Sequence, residues 1–403
     1  MPTRRWVGVW LLCMLVVPQI AQAQDVTEQE LVALILRDGA HARAIRASVD
    51  VTAREQLART AFPNPSVAYT REGAGFTEFL QVDQFLPMFG ARAMLVRAGA
   101  AATQAAEADR DARLWQLRSE AQALVARLLA EQQKADTWQA SIRDMESVIA
   151  VLRIREQEGE GSRFDRLRAQ QDLAEARQLA VDAAATAAEA HASVSSATGA
   201  GLRFTRVTGA FYADRNLPPI ESLIGRALAA RGELRALQSA SERFVLEASA
   251  ARRARLPSPT ISGGLKRADA DAGRQSGGLF GINLVVPLFD SGRREAARWL
   301  AERARVDAER AFTVHAVQAQ IAGASAVLAL RQEAVRAAEG ASAADDLTDI
   351  ALVAYREGEV GILELLDAYR TVARARIRAV DMRFAARLAQ IALERAVGDP
   401  LWP

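Results

Sequence analysis

The second half of the chain repeats the first half at an offset of about 199 residues. Pro87 corresponds to Pro287, and Gly159 corresponds to Gly358. The interval from proline to glycine is 72 residues in the first copy and 71 in the second. Solenoid repeats are much shorter, roughly 20–50 residues, so the pattern predicts two equivalent halves that pack side by side. The predicted first repeat, inter-repeat linker, second repeat and C-terminal tail span 24–199, 200–219, 220–398 and 399–403.

Residues 1–23 have the pattern of a secretory signal peptide. Two arginines precede a 15-residue apolar run, and Ala21-Gln22-Ala23 supplies the small residues of a cleavage site. A membrane anchor is the alternative, but the run is short for a span and contains Pro18. Cleavage removes Cys13, the only cysteine, and leaves 49 basic and 49 acidic residues. The mature chain is therefore neutral overall, which argues against a nucleic-acid partner.

Two long stretches, 90–156 and 292–355, contain no proline and are dominated by strong helix formers. Apolar residues recur there at intervals of three and four, which is typical of an amphipathic packed helix. At about 1.5 Å per residue, some 70 residues span on the order of 100 Å, which is too long for a compact globule. A glycine-rich turn and a return helix follow in each repeat, at 163–197 and 362–397. Each repeat is therefore predicted to contain a long antiparallel helical hairpin.

A β-hairpin is predicted before each long helix, within 62–87 and 256–287. Apolar and polar residues alternate there at a period of two, as in strands with one apolar face. The last strand has roughly the 9–11 residues that a tilted strand needs to cross a bilayer. The residues predicted to face lipid from this strand are Phe280, Ile282, Leu284 and Val286.

Four strands per chain cannot close a barrel, and an open sheet edge is not tolerated in lipid. Other copies of the chain must complete the sheet: two copies would supply eight strands and three copies would supply twelve. The physical argument does not choose between these numbers. No later segment is expected to have the roughly 18 apolar residues of a membrane-spanning helix. The alternative architecture is a coiled-coil rod capped by two solvent-exposed hairpins.

This order of elements resembles the TolC family of outer-membrane channel proteins over essentially the whole mature chain. The most specific match is the turn at 355–368, where Tyr355, Gly358, Glu364 and Asp367 have the family's spacing. A second match is the strand end at 287–294. The segment 85–92 and the short C-terminus are most similar to the heavy-metal-efflux branch of the family.

The resemblance implies a mainly α fold with a small β part, in which a homotrimer builds one 12-stranded barrel continuous with an α-helical tunnel. Pro87 and Pro287 would mark the barrel-to-helix transition. The resemblance also implies a location in the outer membrane, contact with its lipid, and a tunnel that projects into the periplasm. The implied partners are a periplasmic adaptor (membrane fusion protein) and an inner-membrane pump of RND type. The implied function is a passive exit duct in a tripartite efflux system, with heavy-metal cations as candidate substrates.

Glu364 and Asp367 are three residues apart after the second-repeat turn, so they share one helix face. In a trimer, they would bring six carboxylates into a narrow ring that attracts cations. The alternative is an ordinary solvated face near a helix N-terminus, where the dipole favours acids. The resemblance assigns Tyr355 and Asp165 to the same pore gate, although Arg168 stands where the second repeat has Asp367. The glycines predicted to form the periplasmic tip turns are Gly159, Gly161, Gly358 and Gly361. Positive φ is expected at Gly358 and Gly361, because glycine accepts it.

The sequence contains no enzyme motif of the G-x-S-x-G, S-x-x-K or H-E-x-x-H type, and the mature chain has no cysteine nucleophile. Its histidines, at positions 41, 191 and 315, lack metal-ligand spacing. We therefore predict no catalysis, no cofactor and no resident metal. Two other functions remain open. A type I protein secretion conduit would have the same fold, whereas a periplasmic coiled-coil adaptor or structural protein would normally have one hairpin rather than two.

Overall fold

A computed structural model describes residues 24–73, 77–199, 204–270, 273–287, 289, 291–340 and 344–402. The predicted signal peptide 1–23, residues 200–203 of the predicted linker and Pro403 of the predicted tail lie outside the described residues. The elements in chain order are β1 Gln24–Thr27, α1 Glu28–Asp38, α2 Ala40–Arg59, β2 Ser66–Glu72, β3 Thr77–Phe85, α3 Ala91–Glu158, α4 Arg163–Thr198, β4 Phe204–Thr208, α5 Ile220–Ala230, α6 Gly232–Arg253, β5 Pro259–Ala270, β6 Gly273–Leu284, α7 Arg293–Gly340, α8 Ala344–Glu357 and α9 Ile362–Val397.

The two helical hairpins dominate the chain. In the first repeat, α3 runs for 68 residues and α4 returns for 36. In the second repeat, the stretch predicted as one helix over 292–355 corresponds to α7 and α8, and residues 341–343 between them lie outside the described residues. The return helix α9 has 36 residues, the same length as α4. The equal lengths of the return helices follow from the duplicated spacing of the glycines in the sequence.

Each repeat opens with two short helices rather than one. Thr27 caps α1: its hydroxyl accepts a hydrogen bond from the Glu30 N–H at 3.3 Å, and the Glu30 carboxylate accepts one from the Thr27 N–H at 2.9 Å. Gly39 separates α1 from α2, and a Cβ there would lie 2.3 Å from the Ile35 carbonyl oxygen. Arg231 separates α5 from α6 in the second repeat.

The predicted β-hairpins form one four-stranded antiparallel sheet in the order β2-β3-β5-β6. The register pairs Leu80 with both Tyr69 and Leu265, and it pairs Ile261 with Ile282. Residues directly opposite each other share a face, so one face of the sheet is apolar in all four strands. The exposed large side chains on this face are Val67, Tyr69, Leu80, Val82, Ile261, Leu265, Phe280, Ile282 and Leu284.

The opposite face of the sheet is polar. Ser262 Oγ donates a hydrogen bond to Asp83 Oδ1 at 2.5 Å, and Gln81 Nε2 donates to the same oxygen at 2.6 Å. Lys266 lies on this face with its Nζ 5.2 Å from the centroid of the Phe79 ring. An exposed apolar face backed by a polar face is the pattern of strands that separate lipid from an aqueous lumen.

A second, two-stranded sheet was not predicted. Strand β1 pairs in parallel with β4, which lies inside the predicted linker 200–219. Phe204, Val207 and Phe211 of this linker are buried against α1, α3 and α4. The linker is therefore a packed part of the fold that holds the start of the first repeat against the start of the second. Strands of four and five residues leave too short an alternation to detect in the sequence.

One described helix, Arg293–Glu339, is long and apolar enough to cross a membrane by length and composition, with an 18-residue window of mean hydropathy 1.3. This finding corrects the expectation that no later segment is so apolar. The window arises because residues 311–330 contain no Asp, Glu, Lys or Arg. Val317, Ile321 and Leu328 from this stretch are buried in one core with residues of α5 and α9. The apolar side of α7 thus packs against helices of the same chain.

The contact between α6 and α3 depends on Gly232. A Cβ at this position would lie 2.4 Å from the Ala108 carbonyl oxygen and 2.8 Å from the Ala112 nitrogen. We expect Gly232→Ala to cost about 1–3 kcal/mol of stability, because two packed helices must separate. Thermal unfolding of the purified protein in detergent, followed by circular dichroism, measures the loss.

Gly225→Ala in α5 is the matched control, because nothing lies within 4 Å of a Cβ added there. Alanine exceeds glycine in helix propensity by about 1 kcal/mol, so this variant should be neutral or more stable. Equal melting temperatures for the two variants would show that the contact between α3 and α6 tolerates a Cβ at position 232.

Candidate functional site

The two helical hairpins turn at the same end of the molecule, which we call the tip, at Gly159 and Gly358. Both glycines have left-handed backbones, with φ values of 81° and 78°. The Glu160 N–H donates to the Arg155 carbonyl at 2.9 Å, and the Glu359 N–H donates to the Ala354 carbonyl at 2.9 Å. These bonds close the helix ends as in a Schellman motif. A residue with a Cβ would be strained at either glycine.

The other two predicted turn glycines act differently. Neither Gly161 nor Gly361 has a positive φ, and Gly361 has φ −85° as the N-cap of α9. The expectation that Gly361 supplies a positive angle is therefore wrong. A Cβ on Gly161 would lie 3.0 Å from the Arg155 Cβ and from the Glu156 nitrogen. Gly161 is thus needed for the close approach of the turn to α3.

Tyr355 links the two tip turns. Its hydroxyl donates a hydrogen bond to Asp165 Oδ2 at 3.4 Å, which connects α8 of the second repeat to α4 of the first. Arg155 of α3 donates to the Tyr355 carbonyl at 3.3 Å, and its guanidinium carbon lies 5.3 Å from the ring centroid. Tyr355 is only 7% exposed, whereas Asp165 is half-buried. The structure therefore brings Tyr355 and Asp165 together and adds Arg155, which the sequence did not single out.

Burial and the neighbouring Asp165 carboxylate raise the pKa of the Tyr355 phenol. A raised phenol pKa means that the folded protein favours the neutral, hydrogen-donating form. The stabilisation from this contact is therefore present at neutral pH, and it is lost only as the pH rises through the raised value. The Tyr355–Asp165 hydrogen bond is therefore available throughout the neutral pH range.

Glu364 and Asp367 lie on the first turns of α9, directly after the turn. Leu365 and Leu366 between them are fully buried, so the two carboxylates project from the opposite, exposed side of the helix. Within the part of the chain that the structure describes, neither carboxylate forms an ion pair. Both groups are free to face a lumen or solvent. Their role in a pore remains a prediction.

A buried ion pair joins the two return helices further from the tip. Arg370 of α9 places Nη2 2.7 Å from Oδ2 of Asp172 in α4, and the Asp172 side chain is 7% exposed. Removal of one partner would leave a buried charge unpaired, which is costly. This pair was not predicted, because single residues 198 positions apart give no local pattern. Together with Tyr355–Asp165, it ties the second repeat to the first on the tip side of the molecule.

The predicted barrel-to-helix transition residues lie where the sheet ends. Pro87 follows β3 by two residues, and Pro287 follows β6 by three. Left-handed backbones then start the long helices, at Gly90 with φ 74° and at Gly292 with φ 67°. The predicted lipid-facing residues Phe280, Ile282 and Leu284 are in β6 and exposed, by 73%, 60% and 52%. Val286 lies two residues beyond the end of β6, so its predicted place in the strand was wrong.

No cluster of three or more His, Cys, Asp or Glu side chains that could hold a metal ion occurs among the described residues. An open groove of about 530 Å³ lies between the two tip turns. Its walls include Phe164 and Leu363, which are 67% and 55% exposed and occupy corresponding positions in the two repeats. The tip therefore presents apolar side chains in a repeated arrangement, with the acids of α9 beside them.

Arg155 tests how much the contact with Tyr355 holds the tip together. A cation–π contact of about 0.5–1 kcal/mol and a hydrogen bond of about 1 kcal/mol predict roughly tenfold faster opening in Arg155→Gln. Hydrogen–deuterium exchange of the amides at 355–361 measures the opening. The control is Arg153→Gln, because Arg153 is exposed and lies two residues before Arg155 in the same helix. This variant should leave exchange unchanged. Identical exchange in both variants would remove Arg155 from the tip contacts.

Comparison with known proteins finds a family match within the second repeat. Residues 223–399 match the family model described as "OEP: Outer membrane efflux protein". This segment contains the long hairpin of the second repeat, together with Glu364 and Asp367. A search of curated proteins found no match to the chain.

Solved structures share the fold over nearly the full chain. A crystal structure of CusC is 16% identical, with a TM-score of 0.73, and the match covers 94% of this chain and 96% of that chain. The outer membrane protein VceC from Vibrio cholerae is 18% identical, with 92% and 96% covered and a TM-score of 0.70. The open state of the MtrE outer membrane channel from Neisseria gonorrhoeae is 17% identical, with 92% and 89% covered and a TM-score of 0.73.

The fold is thus that of the TolC-like channels, whose long helices form a tunnel and whose strands form a barrel in the trimer. Identities of this size show the fold alone. Residues 223–399, which hold most of the second repeat, match the outer membrane efflux protein family, and the whole chain shares the fold of outer membrane channels.

Proposed function

We propose that this protein is the outer-membrane exit duct of a tripartite efflux system. In this role, a homotrimer forms a passive conduit, and an inner-membrane pump of RND type delivers substrates through a periplasmic adaptor. The observation that carries the proposal is the four-stranded sheet with one exposed apolar face, one polar face and helices of up to 68 residues beyond it. The duct performs no catalysis in this proposal, and no cofactor is required.

The open edges of the sheet support the homotrimer. Strands β2 and β6 each have a neighbour on one side only, among the described residues. Their free N–H and C=O groups must be paired if the apolar face lies in lipid. Pairing β2 of one chain with β6 of the next satisfies both edges, and three chains then give a closed 12-stranded barrel. The polar face, with Asp83 and Ser262, lines the lumen in this arrangement.

The tip supports an adaptor-facing role. The groove between the turns has exposed apolar side chains at matching positions of both repeats, Phe164 and Leu363. An apolar patch at the end of a long hairpin is a typical contact for a partner protein. The adaptor would bind this surface, and the inner-membrane pump would deliver substrates through the adaptor. Substrate choice is then a property of the pump rather than of this chain.

Heavy-metal cations are the substrate class that we propose to test first, because the segment 85–92 is similar to the heavy-metal-efflux branch. The protein should fractionate with outer membranes, and native mass spectrometry should give three copies. Deletion of the gene should raise sensitivity to metal salts or amphipathic drugs, because the substrates of the pump would then lack this exit duct. A soluble monomer would contradict the channel, whereas lost secretion of a protein with unchanged sensitivity would favour a type I secretion conduit.

We also propose that Glu364 and Asp367 line the narrow end of the tunnel. Their support is the shared exposed side of α9 and the position directly after the turn. In a trimer, six carboxylates would act on a passing cation through a partly screened field, worth on the order of 0.5–1 kcal/mol. Glu364→Gln combined with Asp367→Asn should therefore lower the cation-to-anion permeability ratio roughly two- to fivefold.

Reversal potentials in planar bilayers measure this ratio, and block by multivalent cations should weaken in parallel. The matched control exchanges the two acids, as Glu364→Asp with Asp367→Glu, which keeps both charges and the trimer. An unaltered permeability ratio in the neutral variant would show that Glu364 and Asp367 lie on an ordinary solvated helix face. This result would not contradict the proposed duct.

A further inference from the structure

The strongest unassigned feature is a band of arginines where the sheet joins the helices. The register brings Phe85 opposite Thr260 and Pro259 opposite Leu284, so the starts of β2 and β5 and the ends of β3 and β6 lie at the same end of the sheet. The four joining segments, 59–65, 86–97, 252–258 and 285–294, contain eight arginines and one acid, Asp290, which lies outside the described residues.

Arginines of this band come together from different elements. Gly292 at the start of α7 packs on α6, because a Cβ there would lie 2.2 Å from the Ala251 carbonyl oxygen. Arg293 and Arg294 therefore lie beside the end of α6, which carries Arg252 and Arg253. A Cβ on Gly90 would lie 2.5 Å from Arg253 Nη1, so the start of α3 also lies beside the end of α6. We call Arg252, Arg253, Arg255, Arg293 and Arg294 the junction band.

No ion pair with a described residue neutralises the charges of the junction band. All five side chains are exposed, and none forms an ion pair with any residue that the structure describes. Arginines on either side of the band do have partners: Arg59 pairs with Glu247, and Arg298 pairs with Glu295 at 2.8 Å. Like charges held close together repel unless an anion lies between them. An anionic ligand from outside the chain would relieve this repulsion.

The position of the band indicates which anion. The exposed apolar face of the sheet ends at Leu284, and the band begins within a few residues of the strand ends, on the side of the helices. In an outer-membrane sheet whose helices project into the periplasm, that level is the headgroup region of the inner leaflet. Arginine binds phosphate through a planar set of donors, and it is less strongly hydrated than lysine. Each basic side chain near an anionic lipid surface adds to binding.

We propose that the junction band binds the phosphate headgroups of anionic phospholipids in the periplasmic leaflet. The ligand class is a diacyl phosphodiester such as phosphatidylglycerol, whose acyl chains lie against the apolar face of β5 and β6. This inference rests on the proposed duct, because it needs the sheet to lie in the bilayer. It adds a lipid specificity to that function and fixes the depth at which the barrel sits.

The test is lipid retention by the assembled protein. Native mass spectrometry of the detergent-purified channel, incubated with phosphatidylglycerol or phosphatidylcholine, should show selective retention of phosphatidylglycerol. Arg252→Gln with Arg255→Gln should reduce that retention by roughly fivefold for each arginine removed. Arg293→Gln with Arg294→Gln should do the same from the other side of the band. Arg374→Gln with Arg378→Gln, at exposed positions of α9 remote from the sheet, is the matched control and should retain the lipid.

Several results would overturn the proposal. Equal retention of the two lipids by the unmodified channel would contradict the selectivity for phosphatidylglycerol. Equal retention in all variants would show that the junction band does not bind the lipid. Displacement of the lipid by inorganic phosphate, with phosphate itself retained, would make the band a site for free anions. A changed ion selectivity in bilayers without lipid loss would place the arginines in the lumen. In each case outer-membrane fractionation and conductance still report on the duct, so its failure is seen separately.

Discussion

The pairing of backbone groups at two strand edges constrains the rest of this structure. A sheet with one apolar exposed face belongs in lipid, and lipid supplies no hydrogen bonds to the free edges of β2 and β6. The edge strands of other copies can pair with these edges, β2 of one chain with β6 of the next, because the chain has no further strand at that end among its described residues. In the proposed homotrimer, each chain therefore contributes one third of the barrel. The duplication makes this feasible, since each repeat contributes one hairpin of similar length and orientation.

The helices below the sheet meet a different demand, because they must pack side by side over a long distance. Small residues meet this demand: the buried alanines of α3 lie between positions 98 and 130, and glycine occurs where backbones touch. Gly232 lies against Ala108 and Ala112 of α3. A Cβ added to Gly99 of α3 would lie 3.1 Å from the Cβ of Gln56 in α2. Close backbone approach increases dispersion contacts without large side chains.

The sequence was sufficient to predict the repeats, the hairpins and the paired tip turns, because each leaves a periodic or glycine signal. It was insufficient where the structure depends on distant pairs. Arg155 approaches Tyr355 from 200 residues away, and Arg370 reaches Asp172 from 198, so neither contact has a local pattern. The strand β4 was hidden in a stretch treated as linker. Positive φ was expected at Gly361 as well as at Gly358, but Gly361 is the extended N-cap of α9, and glycine content alone does not separate a left-handed turn from a cap.

The two repeats have diverged at the tip while keeping the same backbone. Both turns close through a left-handed glycine, yet the second repeat carries two exposed acids where the first has Asp165, engaged with Tyr355, and Arg168. A pseudo-sixfold backbone in a trimer would thus carry only a threefold pattern of free carboxylates. The acid of the first repeat holds the helices together, and the acids of the second remain unpaired within the described chain. The two turns therefore share one backbone geometry, while the side chains that follow form a structural contact in the first repeat and exposed charges in the second.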